Sequence, residues 1–142
     1  MRSKCEILHD WWRKVESDLK TARDEAQTGN PATDAVCFHC QQAVEKTFKA
    51  WLLWHERTFE PTHNVEVLRR ACEEIDRKFA GLAPTTALTP YAVMVRYGDE
   101  PIFPSIEEMQ EALTLATTAE RFVLSKFASI GIDPRRPIGS GL

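Results

Sequence analysis

Gln42, Glu45, Lys46 and Lys49 stand three and four residues apart inside a stretch that is otherwise mostly apolar. On a helix that spacing places one amide, one carboxylate and two ammonium groups along a single edge. Two readings of this ribbon are open. In the first it is an ion-pair face, with Glu45 ahead of Lys49 in the favourable order, contributing about 0.2–0.5 kcal/mol. In the second it lines a cleft or a two-fold interface. The same stretch carries Cys37-Phe38-His39-Cys40, and Cys5 and His9 lie one helical turn apart near the start of the chain. Zinc needs about four converging ligands, usually at turn-type spacing. Here both pairs fall on helix faces and no second Cys-x-x-Cys exists, so no metal site is expected. A thioredoxin-like role lacks its strand–helix context. Cys37, Cys40 and Cys72 therefore read as buried thiols, and no cofactor is expected.

The element that must carry the ribbon is NPATDAVCFHCQQAVEKTFKAWLLW, Asn30 to Trp54. Asn followed by Pro predicts a helix start at Asn30-Pro31. Apolar residues recur on two stripes, one through Val36, Cys40, Ala43 and Ala50, the other through Ala35, Phe38, Phe48 and Leu52. One amphipathic face needs a single stripe. Two predict a helix covered on both sides, by its own bundle or by a partner chain.

Other elements follow from their caps and periods. Ser3 with Glu6 is a capping box opening a first helix through Trp11, Trp12, Val15, Leu19 and Ala22, which ends by Gly29. Trp11 and Trp12 cannot both face one core, so one is a candidate contact for a partner. A third helix carries Val65, Leu68, Ala71, Cys72, Ile75 and Phe79 to Gly81. Residues 82–104 are irregular, with a short helix expected from Tyr91 to about Tyr97 after Thr89-Pro90. Ser105 with Glu108 opens a last helix through Ile106, Met109, Leu113, Ala116, Val123, Phe127 and Ile130, with Glu120 intruding on its seam. No strand alternation or repeat occurs. The expected fold is all-α, an antiparallel bundle of four long helices plus one short helix. It spans residues 1–130, followed by a flexible tail over 131–142.

At 142 residues the chain fits one domain that needs no covalent staples. A net charge of −3 argues against a general polyanion-binding surface while leaving room for a local basic cleft. No apolar run has the length of a membrane span and the start has no signal-peptide core, so the expected location is cytoplasmic.

Three segments, CFHCQQAVEKTFKAWLLW, PTHNVEVLRRA and LTPYAVMVRYGDEP, in this order and at these spacings, resemble the HEPN domain (higher eukaryotes and prokaryotes nucleotide-binding). The resemblance covers the chain from Asp18 to Phe122. It implies a helical bundle that forms a two-fold dimer. It also implies frequent pairing with a minimal nucleotidyltransferase, in toxin–antitoxin or defence systems. Some members of the family are metal-independent RNA endonucleases with an Arg, four to six residues, then a His. Others have lost that pattern and serve as nucleotide-binding or interaction modules.

The resemblance puts Arg96 at the family's Arg position, but Tyr97 to Phe103 contain no His. In-line attack by a ribose 2′-hydroxyl needs a proton acceptor, a proton donor and a cation for the phosphorane. Arg96 would supply the cation and is a poor base. Asp99 or Glu100 would serve as base only with a strongly raised pKa. Arg57, five residues and His63 also fit the pattern, in a loop rather than at the family's position, and read as coincidence. His63 matches the family's Thr-His; it caps the third helix, bonds to a loop carbonyl, or lines the cleft of Arg96.

Gln41, Gln42, Glu45, Lys46 and Lys49 match the family signature, which implies a phosphate site of Arg96, Lys46, Lys49, Gln42, His63 and Tyr97. Tyr91 and Tyr97 stack on a base or pack in the core. Trp11, Trp12 and Glu45 are the expected contacts to a second protomer or partner. The resulting expectation is a non-catalytic HEPN domain that binds nucleotide or RNA phosphate and assembles with a nucleotidyltransferase-like protein. The alternatives are a divergent endoribonuclease using Arg96 with His63, Asp99 or Glu100, and a purely structural helical dimer.

Overall fold

A computed structural model describes residues 2–93, 101 and 103–136. These form α1 (Lys4–Ala26), α2 (Thr33–Trp54), α3 (Val65–Ile75), a 3₁₀ segment (Arg77–Ala92) and α4 (Ile106–Ser129). No strand occurs among the described residues, and the all-α bundle is as expected. α2 packs against each of the other four elements. Most of its two stripes is accordingly buried inside the protomer, with Val36, Cys40, Phe48 and Leu52 fully enclosed, while Ala35 and Phe38 near its start are half-buried.

Both expected capping boxes form. Ser3 accepts from the Glu6 N–H while the Glu6 carboxylate accepts from Ser3, and Ser105 and Glu108 do the same at the head of α4. The start of α2 differs from expectation. Its first residue is Thr33, and Ala32 at the cap offers no side-chain bond. The Glu25 carboxylate, from the end of α1, instead accepts the Ala32 N–H at 2.9 Å. A carboxylate seven residues back thus holds the turn that Asn30 was expected to hold.

α3 ends at Ile75, and Phe79 belongs to the next element. Tyr91 and Ala92, where a short helix was expected to begin, close the 3₁₀ segment, which runs through Pro84 and Pro90; residues 94–97 of that expected helix lie outside the described residues. Phe79, Leu82, Thr85 and Leu88 are buried at steps of three. That is the repeat of a 3₁₀ helix, whose turns bring positions i and i+3 onto one edge. In α4 the buried edge is Met109, Ala112, Ala116, Ala119, Val123 and Phe127. Ile106 and Ile130, expected in the seam, are exposed. Glu120 sits at the edge of that seam, 3.5 Å from Arg23 of α1.

The tail expected to fray from 131 packs over its first residues: Pro134 is buried, Ile132 lies against the core, and the Pro134 carbonyl is 3.1 Å from His9 Nδ1. Residues 137–142 lie outside the described residues.

Surface ion pairs set how the bundle responds to acid. Arg69, buried in α3, holds Glu66 with two bonds of 2.7 and 3.0 Å and Glu73 with one of 2.7 Å. The hydrogen bond from Arg69, aided by Arg70, draws the Glu66 carboxyl down from 4.5 to about 2. Hydrogen bonds from Arg135 bring Asp133 to about 2, and Lys126 holds Asp76 below its ordinary 3.8. His55 is held below 6.5 by burial, with Lys4 and Arg57 nearby. A depressed folded-state pKa gives stability that is present above the unfolded value and lost as pH falls through the folded one. The melting temperature should therefore slip below about pH 6.5 through His55 and drop steeply between about pH 4.5 and 2 through the three carboxylates. A thermal profile flat down to pH 3 would contradict this assignment.

Candidate functional site

The polar residues of α2 divide into two clusters, each built on a buried carboxylate. In the first, Glu45 is 4% exposed. Its Oε1 accepts from His63 Nδ1 at 2.8 Å and from Gln41 Nε2 at 3.2 Å; its Oε2 accepts from Lys49 Nζ at 3.0 Å. Gln41, fully buried, also donates to the His63 carbonyl at 2.9 Å and accepts from Gln42 at 2.7 Å. The loop bearing His63 is thereby tied to α2 through both its side chain and its backbone.

This geometry selects a tautomer. An ionised carboxylate only accepts, so the His63 proton sits on Nδ1, and Nε2 carries a lone pair when the ring is neutral. With the His63 side chain 65% exposed, an oriented imidazole is left reachable from solvent. Asn64, not His63, caps α3, accepting from the N–H groups of Glu66 and Val67.

The second cluster joins α1 to α2. Asp18 Oδ1 accepts from His39 Nδ1 at 2.8 Å, and Asp18 Oδ2 accepts from Lys46 Nζ at 2.6 Å. Lys46 is thus paired inside the protomer, as Lys49 is. Asp18 was not picked out from the sequence, although its position gives a signal. Val15, Asp18, Leu19 and Ala22 are all buried at helical spacing, and a carboxylate within such a stripe needs a cation from a neighbouring element.

Among the described residues, the expected contacts Trp11, Trp12 and Arg57 are not assembled with these clusters. Glu45 is enclosed within its own protomer and Trp12 is completely buried against Phe127, so neither is presented to a partner; Trp11 remains half-exposed. Arg57 pairs with Glu74, and no bond links it to His63. Arg96, Tyr97, Asp99 and Glu100 lie outside the described residues. Tyr91 packs against the core beside the Cys37 thiol. Burial pushes Cys37 up to about 11 and Cys40 to about 12, so both are inert thiols at neutral pH. Among the described residues no group of three or more His, Cys, Asp or Glu is placed to hold a metal ion, and no helix is long and apolar enough to cross a membrane.

Comparison with protein families matches residues 8–126 to the HEPN domain. The chain belongs to the HEPN family. Compared with the curated proteins and with the solved structures, it gives no significant match. In this HEPN domain the signature residues of α2 are chiefly engaged with one another and with α1. Gln41 and Glu45 anchor the loop before α3, while Lys46 secures α1 through Asp18. Much of the ribbon is accordingly scaffold, and its two carboxylate clusters each hold one histidine through Nδ1, His63 on Glu45 and His39 on Asp18.

Proposed function

We propose that this HEPN domain holds the phosphate of a nucleotide or an RNA without cleaving it. In this reading it works as the binding and assembly half of a toxin–antitoxin or defence pair, as a two-fold dimer beside a nucleotidyltransferase-like partner. The observation that carries the reading is His63, fixed through Nδ1 on buried Glu45 with its other nitrogen outward. A protonated imidazole so held donates to a phosphate oxygen, and Arg96 of the family motif supplies a bidentate cation. Lys46 and Lys49 act at one remove, because each already neutralises a carboxylate. Trp11 is the candidate dimer contact.

A second reading, a divergent ribonuclease, is favoured by the same dyad. His63 oriented by Glu45 is a competent proton acceptor for a 2′-hydroxyl. Against it stands the missing His after Arg96, which leaves no assigned donor for the leaving oxygen.

Metal-free incubation with mixed RNA, read on a gel beside a filter-binding titration, separates the two. The expected result is binding without fragments, weakened about tenfold in His63→Ala, from the loss of one charge-assisted bond, and more than that in Arg96→Ala, from the loss of a bidentate pair. Fragments that disappear in His63→Ala would decide for the nuclease. The assembly half of the reading is checked by sedimentation of the wild type and of Trp11→Ser, the latter expected to be monomeric.

A further inference from the structure

Between the start of α1 and the end of α2 lies a cavity of about 260 Å³, away from both carboxylate clusters. Trp11, Trp54 and Glu56 line it, over an apolar floor that includes Leu53 and Ile7. Two indole rings and a carboxylate around a small volume are complementary to an organic cation, because each ring face is the negative end of a quadrupole. One cation is already in place: Lys4 Nζ lies 4.4 Å from the centroid of the Trp54 ring. Lys4 is also the first residue of α1, where the helix dipole disfavours positive charge. The helix start therefore adds nothing to the hold of the ring on this ammonium.

Glu56 is the second observation. It has φ +56°, and no other non-glycine described residue has positive φ. Its N–H bonds to the Leu53 carbonyl at 3.0 Å and that of Arg57 to Leu52 at 2.9 Å, the bonds of a Schellman close to α2. Glycine is the residue that this position favours. Glu56 makes no ion pair or side-chain hydrogen bond among the described residues, so nothing in the fold calls for a carboxylate there. Glu56 is one of the residues that line the aromatic cavity.

We propose that this cavity is a binding site for a small organic cation bearing an ammonium or trimethylammonium head, with Trp54 and Trp11 as the cage, Glu56 as the counter-charge and Lys4 as a displaceable internal occupant. It is separate from the phosphate site at His63 but shares Trp11 with the proposed dimer contact, so it requires Trp54 and Glu56 to stay open when Trp11 meets a second copy. The volume lies just below the range of about 300–1,000 Å³ that suits drug-sized ligands.

Choline is a suitable probe and 3,3-dimethylbutan-1-ol its neutral counterpart, read by NMR on the indole N–H signals of the full chain. Choline should move the Trp54 and Trp11 signals with a millimolar Kd, and the neutral alcohol should bind at least about fivefold more weakly. Lys4→Ala should tighten choline binding about threefold by removing the competitor, and Glu56→Gln should weaken it about fivefold. Glu56→Gly should raise the melting temperature by about 3 °C while also weakening binding. The proposal is overturned by no shift with choline, equal binding of the alcohol, no response to Lys4→Ala, or a Glu56→Gly protein that gains stability with unchanged affinity. Indole shifts that follow protein concentration instead of choline also overturn it, making the cavity part of a contact between copies.

Discussion

Glu45→Ala is expected to lower unfolding stability by about 3 kcal/mol, a large fraction of the total for a domain of this size. The carboxylate is 5% exposed and its partner Lys49 only 13%, so the substitution leaves an ammonium group buried without its counter-ion. Removing one member of a buried pair costs more than the pair contributes, because the remaining charge keeps its desolvation penalty. Gln41 loses one acceptor as well and keeps its bond to the His63 carbonyl. Urea titration measures the effect as a shift in midpoint at constant slope. Glu45→Gln, which preserves volume and one acceptor, should cost about half as much. A loss below about 1 kcal/mol for the Ala variant would mean that the cluster is solvated, like an ordinary surface pair. Functionally, the same change frees the His63 ring. Nitrogen chemical shifts should move from the Nδ1–H tautomer enforced by Glu45 towards a mixture, and RNA affinity should fall by as much as in His63→Ala.

The parts of this fold that were legible in the sequence are those fixed by neighbours along the chain. Ser3 with Glu6 and Ser105 with Glu108 are local devices, and both form. Two apolar stripes on one helix announced that α2 would be central. What could not be read depends on which partners the turns and the packing bring together. Glu25 replaces Asn30 at the start of α2 because the turn brings its carboxylate within reach of the Ala32 N–H. The 3₁₀ segment was missed since Pro84 and Pro90 read as breakers of an α-helix, whereas the three-residue step from Phe79 to Leu88 fits a tighter helix. The ribbon on α2 was found, but its meaning lay in its partners. Lys46 seeks Asp18, twenty-eight residues earlier, and Glu45 takes His63, eighteen residues later. A ribbon drawn from one helix alone has no way to distinguish an exposed phosphate site from an internal clasp. Glu56 had no signal at all, because a left-handed glutamate looks like any other glutamate.

Phe127→Ala should be the most damaging single truncation, at about 4 kcal/mol. Phe127 is fully buried on the last turns of α4 and meets three tryptophans edge-on. The centroid distances are 6.1 Å to Trp12, 5.0 Å to Trp51 and 6.3 Å to Trp54. Those rings belong to α1 and α2, so one side chain joins the three long helices of the bundle. Two contributions add: the cavity left by a phenyl ring, and the loss of edge-to-face contacts worth about 0.5–1.5 kcal/mol each. The Trp12 and Trp51 indole N–H groups are buried here without a protein partner, so the cluster is held by ring packing rather than by hydrogen bonds. Phe127→Leu, which keeps most of the volume and loses the ring edges, should cost about 1–2 kcal/mol and separates the two contributions. Because Trp54 also walls the cation cavity, Phe127→Leu should disturb choline binding while leaving RNA binding at His63 intact. Equal losses at both would mean that the two ends of α2 respond as one unit.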